Sequence, residues 1–426
     1  MRHVPAELAT RAAHRSLVGV HSVGEAVTGG QEQARTTGAR LRHIRQSRGK
    51  SLRVVAGLAG MSKSRLSQLE RGERALDRRS EIVALAGALE VAPTELLALP
   101  LPLPADGRTD MAVDAIRRAL LAAVTGAAGG EVLAAQVLRS RVAEVLDAQQ
   151  ACHHDTAGAL LPGVIQDVHT TIGAGRDGVE VAGLVPLLHV QGTQAWLRDV
   201  GAPLDLAWQA AALSQQFADR LDDPLVGALA AFGTTHGLLA AGAFDLARTR
   251  LEAALAAVPT RSVGAMQLAG MLNLTRSLLA AAEGNSSDLT APLDAAAELA
   301  ERTGEANAYW FGFGPTNVGV WRMSVALESG NHAHAAALAE RLDPRNLPSP
   351  QRRAAYWIDY GRALAQLRGR KDEAVMAFRR AEMISPTRVY RHPFARETIA
   401  ELVERSRREA VGRELRGLAS RAGLLA

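Results

Sequence analysis

Five glycines, Gly201, Gly242, Gly284, Gly330 and Gly369, recur at spacings of 41, 42, 46 and 39 residues. Apolar segments rich in Ala and Leu fill the intervals, and a turn glycine at such a period is what stacked helical hairpins require. Each hairpin needs a left-handed residue between its two helices, and each buries its apolar face only against a neighbour. Composition agrees. The 426 residues hold seven Phe, four Tyr and five Trp, which leans away from strand, and 47% hydrophobic against 22% charged residues supports a large core rather than a disordered chain.

Two of the units match in detail. Gly242 is followed by Ala247, Leu251, Ala254 and Pro259, and Gly369 by Ala374, Phe378, Ala381 and Pro386, with identical offsets. Small residues allow close helix approach and the proline stops the second helix. These units resemble tetratricopeptide repeats, although the first-helix Trp, Gly and Tyr signature is mostly missing and the period is longer than usual. The unit with Gly330 and Ala335 matches less well, and those at Gly201 and Gly284 only loosely. The expectation is an all-α chain: an α-solenoid of tetratricopeptide-like hairpins over residues 111–387, with capping helices over 388–426. The inner groove of such a stack accommodates extended peptides or small ligands.

Charge singles out a different segment. Thr36 to Ser80 carries twelve Arg or Lys against three acids, more positive than the whole chain at +5. A basic block confined to one segment is the footprint of a polyanion contact, because neutralising phosphates releases counterions. Its pattern is equally specific. GARLRHIRQSRG reads as one helix ended by Gly49. Ser51 caps LRVVAGLA, ended by Gly60, and Ser62 caps KSRLSQLER, ended by Gly72. Ser80 is placed to cap EIVALAGALEV, and Pro93 to open a fifth helix. Ala56 allows the second and third helices to approach, and Leu66 and Leu69 face inward.

AGLAGMSKSRLSQLERGER with its flanking helices resembles the lambda-repressor/Cro-like (Xre) family, over residues 37–99. The resemblance implies a five-helix DNA-binding domain whose third helix enters the major groove. Carried over by position, Lys63, Ser64, Arg65, Ser67 and Gln68 meet bases, and Arg42, Arg71 and Arg74 hold phosphates. Arg45 and Glu70 match a structural ion pair between the first and third helices. Leu52 departs from the family, whose Gln at this position contacts a phosphate. The joined plan looks like actinobacterial Xre regulators and, distantly, like the peptide-sensing RRNPP regulators. It implies a homodimer on a palindromic double-stranded operator, tuned by a peptide or small-molecule effector.

Residues 1–36 are expected to form a flexible arm, and 100–110, with Pro100, Pro102 and Pro104, a semi-rigid linker. Within the repeats, NAYWFGFGPTNVGVWR gathers Tyr309, Trp310, Phe313, Asn317, Trp321 and Arg322. With Asn273 and Arg276 one hairpin earlier, these either line a ligand pocket or fill the core between hairpins. Several signals are set aside. GAGRDG at Gly173 lacks a preceding strand, and Val164, Ile165 and Val168 recur at helical spacing. Cys152, His153, His154 and Asp155 cannot converge on one ion, so no metal and no cofactor are expected. The uncharged run Leu225 to Phe244 reads as a buried helix pair rather than a membrane span. A single cysteine and no secretory signal fit the cytoplasm. Without a nucleophile beside a base, the chain does not read as an enzyme. The alternative is a repeat scaffold or antitoxin-like protein binder with DNA contact secondary.

Overall fold

The computed structural model describes residues 37–97, 107–406 and 412–425, and every regular element among them is helical. The expected arm at 1–36 and the three linker prolines lie outside the described residues. Five short helices open the chain: α1 (Thr37–Ser47), α2 (Leu52–Leu58), α3 (Lys63–Glu70), α4 (Arg79–Leu89) and α5 (Pro93–Leu97). Their limits follow local chemistry. The Ser51 hydroxyl accepts the Val54 N–H at 3.3 Å and that of Ser62 the Arg65 N–H at 3.1 Å. Leu41, Val55, Leu66, Leu69, Leu85, Leu89 and Leu96 form the small core, joined by Phe394 from the far end of the chain.

The stack begins with α6 (Gly107–Val124), which starts inside the stretch read as linker, followed by α7 (Ala135–Gln150), α8 (His154–Gly173) and α9 (Gly178–Ala182). The glycine-rich segment at Gly173 is the connection between α8 and α9. Next come α10 (Leu184–Leu187), a π-helical turn (Leu188–Gln194), α11 (Ala195–Asp199) and α12 (Leu204–Ala218). Hairpins follow: α13 (Pro224–Ala241) with α14 (Phe244–Ala257), α15 (Val263–Glu283) with α16 (Thr290–Thr303), α17 (Pro315–Glu328) with α18 (His332–Glu340), and α19 (Pro350–Ala365) with α20 (Lys371–Ile384). Helices α21 (Pro386–Arg391), α22 (Pro393–Ser406) and α23 (Arg413–Arg421) complete the chain. The apolar run at Leu225 forms one helix, α13, rather than the expected pair; it is long and apolar enough to cross a membrane, and half of it is buried in the stack.

The five spaced glycines all occupy left-handed turns, with φ between +65° and +78°. The matched small residues Ala247, Ala374 and Ala381 have no exposed surface, nor do Leu251 and Phe378. Close helix approach also depends on Gly270, where a Cβ would lie 2.1 Å from the Phe313 ring.

The stack curls back on itself. Asp199 at the end of α11 accepts from Gln149 of α7 at 2.8 Å and from Gln351 of α19 at 3.2 Å, and lies 3.2 Å from Arg388 of α21. Arg391 donates to the Val200 carbonyl at 2.9 Å. The first helices of the stack therefore touch its last ones.

Candidate nucleic-acid interface

Helix α3 is held from behind. Leu66 and Leu69 anchor its inner face, and Arg45 of α1 grips Glu70 through two hydrogen bonds of 2.6 and 2.9 Å while donating to the Lys50 carbonyl at 3.0 Å. The expected structural ion pair is present and mostly buried. Such bidentate pairing fixes the angle between the two helices as well as neutralising the charge.

With the inner face fixed, Lys63 and Ser64 at the start of α3 are exposed, and Ser67 and Gln68 are partly exposed. Arg65 turns elsewhere. It pairs with Glu81 of α4 at 3.2 Å, so its guanidinium is engaged within the domain rather than free beside Lys63. Arg71 is paired with Glu73 at 2.8 Å through its Nε and Nη2, and Arg74 donates to Gln366 of the stack at 2.7 Å. Of the three expected phosphate contacts, Arg42 alone is exposed with no intramolecular partner among the described residues.

One cation escaped the sequence reading. Arg53 is the second residue of α2, exposed and unpartnered among the described residues, beside Leu52, which is partly buried against the domain core. Arg53 thus places a cation one residue after the apolar Leu52, at a helix start whose N–H groups add partial positive charge. The signal was present in the order Ser51-Leu52-Arg53: a cap, an inward residue, then an outward cation.

The opposite side of the domain is docked on the stack through acids. Glu397 of α22 accepts the Thr37 N–H at 2.7 Å, and Glu401 accepts the Ala75 N–H at 2.9 Å. Glu328 at the end of α17 accepts the Ser80 N–H at 3.2 Å and pairs with Arg79 at 2.9 Å. Ser80 is therefore not the cap of α4; the helix starts at Arg79, and the Glu328 carboxylate, 248 residues away, takes the Ser80 N–H at the helix start. Arg362 donates to the Asp77 carbonyl at 3.0 Å, and its guanidinium lies 4.9 Å from the centre of the Phe394 ring. Burial pushes the Glu397 and Glu401 carboxyls above the usual carboxylate range.

The aromatic cluster of the stack fills core. Phe313 and Asn317 have no exposed surface, Trp321 is buried, and the Asn317 amide faces the Met271 sulfur at 3.9 Å. Trp310 is pinned by its indole N–H on Asp147 at 2.7 Å, and Tyr309 packs beside Gly264. Asn273 bonds its own helix at the Ala269 carbonyl, Arg276 is exposed, and Arg322 pairs with Asp294 at 2.9 Å. These eight residues are thus divided between the interior and the outer surface and do not converge on one open pocket.

Residues 37–99 match a family described as a helix-turn-helix domain. No curated protein and no solved structure matches the chain. The domain match supports DNA as a partner and the chain as a DNA-binding regulator.

Proposed function

We propose that this protein is a sequence-specific transcriptional regulator of the Xre type that binds a palindromic operator as a homodimer and responds to an effector through its tetratricopeptide-like stack. The observation that carries the reading is the two-sided character of residues 37–97. One side presents Lys63 and Ser64 with Arg42 and Arg53, cations without a partner among the described residues, while the other is engaged by Glu328, Glu397 and Glu401. A domain held by one face and basic on the other is suited to reading DNA while reporting on the state of the stack.

Lysine donates to guanine acceptors and glutamine pairs bidentately with adenine, so Lys63 and Gln68 are the base readers and Ser64 and Ser67 assist. Arg42 and Arg53 set register on phosphates. Arg71 and Arg74 join them only by exchanging Glu73 and Gln366 for DNA. Because the docked face belongs to the same small domain, an effector that favours one arrangement of the stack changes DNA affinity by the reciprocal factor. The setting is cytoplasmic and no catalysis is involved.

Selection of bound duplexes from a random pool by the purified full-length protein tests the reading. A two-part motif with half-sites about one helical turn apart is expected, with affinity falling steeply as salt rises. Enrichment of no motif at low salt would overturn it.

A further inference from the structure

The ends of α6, α8 and α12, with the loop 126–129, border a cavity of about 550 Å³ that opens to solvent and has the size of a small-molecule site. Val124, Ile172, Leu213 and Phe217 give it apolar walls, His169 a polar patch and Arg220 a cation. The loop is a fixed wall. The Gly130 N–H donates to the Thr170 hydroxyl of α8 at 2.9 Å and the Glu131 N–H to the Asp167 carboxylate at 2.8 Å. Val124 at the edge is exposed although apolar, and at Gly173, the last residue of α8, a Cβ would meet no atom within 4 Å.

His169 is only 8% exposed, yet it lines this cavity. Its Nε2 lies 3.0 Å from the Nε2 of His189, and burial keeps both rings neutral, so one nitrogen donates and the other accepts. The third partner sets the direction. The His189 Nδ1 lies 3.3 Å from the Thr193 hydroxyl, which donates to the Leu188 carbonyl at 3.4 Å. A hydroxyl has one proton, so all three contacts are satisfied together only when His189 is protonated on Nδ1 and His169 donates from Nε2. The His169 Nδ1 is then a bare acceptor, and it has no partner among the described residues. Arg220 is open too: its guanidinium lies 5.1 Å from the centre of the Phe217 ring and has no hydrogen bond or ion pair among the described residues. The His169 ring lies 5.2 Å from the same centre, so imidazole and guanidinium are at most about 10 Å apart beside one aromatic ring. No acid is among the described residues lining the cavity. Turn N–H groups take up carbonyls at the helix ends, as Gly126 does for Ala123, Gly175 for Ile172 and Arg220 for Phe217, which leaves Arg220 to set the local charge.

We propose that this cavity binds a planar, two-ring aromatic acid whose hydroxyl donates to the His169 Nδ1 and whose carboxylate pairs with Arg220 at the rim. Apolar walls and the Phe217 ring take the rings, the bare imidazole nitrogen selects a donor at the inner end, and the free guanidinium selects an anion at the outer end. The site also has a path to the DNA-binding domain. His189 belongs to the π-helical turn, whose last residue, Gln194, donates to the Gly233 carbonyl of α13 at 2.9 Å. Helix α13 ends at Gly242, whose turn lies against Val83 of α4. A hydrogen bond at His169 polarises the first links of this chain of contacts. The site names the class of effector, and it rests on the regulator reading only for that link to DNA.

Fluorescence titration of the full-length protein with three probes tests the site: hydroxynaphthoate with its hydroxyl and carboxylate at opposite ends, naphthoate, which lacks the hydroxyl, and naphthol, which lacks the acid. Hydroxynaphthoate is expected to bind once per chain and about tenfold more tightly than either of the others. R220A should bind it no better than naphthol, and H169F no better than naphthoate. G173F, which places a ring in open space at a helical position, should keep the wild-type Tm and exclude all three. Should H169F fail to fold, R220A and G173F at the rim still decide. No binding of any probe, or wild-type affinity in G173F, overturns the site, and equal affinities for the three overturn its chemistry. DNA selection is a separate readout: a protein that selects an operator but binds no probe refutes this site and not the regulator, whereas G173F-sensitive binding without DNA selection refutes the regulator and not the site. Operator affinity unchanged by saturating hydroxynaphthoate overturns the link between them.

Discussion

The buried carboxylate of Glu397 accepts the main-chain N–H of Thr37 at 2.7 Å, joining the first turn of α1 to a helix 360 residues later in the chain. Glu401 does the same for Ala75 and Glu328 for Ser80. Replacing a buried acceptor by alanine strands an N–H and costs about 1–3 kcal/mol. E397A and E401A should therefore lose amide-exchange protection in peptides covering residues 37–47 and 71–80. E397Q keeps the acceptor and removes a charge that burial already disfavours, so it should retain wild-type protection; equal loss in E397Q and E397A would refute this account of the contact.

Base reading makes a second prediction. K63A and Q68A should each flatten preference at one position of the selected motif, worth about 1–3 kcal/mol of discrimination. R53A should instead weaken all sequences alike and lower the slope of log affinity against log salt by about one. Fluorescence anisotropy with operator and scrambled duplexes, across a salt series, separates the two behaviours. An R53A protein with an unchanged slope would remove Arg53 from the phosphate contacts.

Signals that act within a turn of helix were readable from the sequence. Ser51 and Ser62 cap as expected, Gly60 and Gly72 take left-handed φ values of +65° and +71°, and Arg45 meets Glu70. The hairpin glycines fixed the architecture in the same way. What the sequence did not disclose depends on partners distant in the chain. Ser80 has the chemistry of a cap, but nothing local announces that Glu328 supplies the acceptor instead. Arg65 and Arg74 look like DNA contacts until Glu81 and Gln366 are placed beside them. Asn317 carries polar groups yet is wholly enclosed, because Met271 and its neighbours close over it.

The Arg45–Glu70 pair supports a stability prediction. Both side chains are largely buried, so E70A leaves a guanidinium with only the Lys50 carbonyl and should cost about 3 kcal/mol in urea unfolding. Replacing both partners by apolar residues, as in R45M/E70L, should recover most of that loss. A single-mutant loss no larger than that of an exposed pair would show that the bridge does not fix the α1 to α3 angle.

Buried histidines set the direction of the acid response. Burial holds His169 down to about 4 and His189 well below its usual range, and their Nε2 atoms face each other at 3.0 Å. The unfolded chain binds protons at these rings near pH 6.5 and the folded protein does not, so their contribution is complete above that pH and is lost as pH falls towards 4. His169 alone should remove about 2 kcal/mol by pH 5. The raised carboxyls of Glu397 and Glu401 act in the opposite sense, since the folded state takes up protons there more readily. Urea melts between pH 7.5 and 5 should show stability falling with acid, and H169Q should show a shallower fall; a parallel profile would exclude His169 as a cause.

Two of the hairpin glycines also form the seat of the DNA-binding domain, which allows strain and docking to be separated. Gly242, Gly284 and Gly330 share nearly the same φ, +76°, +74° and +76°. A Cβ at Gly284 would meet no atom within 4 Å, whereas one at Gly242 would lie 2.7 Å from a Val83 methyl and one at Gly330 would lie 2.9 Å from the Arg78 guanidinium. G284A therefore reports the cost of a left-handed alanine alone, about 1 kcal/mol. G242A adds a clash with the branched Val83 side chain on α4, and G330A adds a milder one because an arginine end moves easily. Amide exchange in residues 79–89 should thus accelerate most in G242A, less in G330A and not at all in G284A, although all three lower the Tm. The same exchange in G242A and G284A would mean that α4 does not rest on the Gly242 turn, and the route from stack to DNA-binding domain would then have to run through Glu328, Arg362, Glu397 and Glu401.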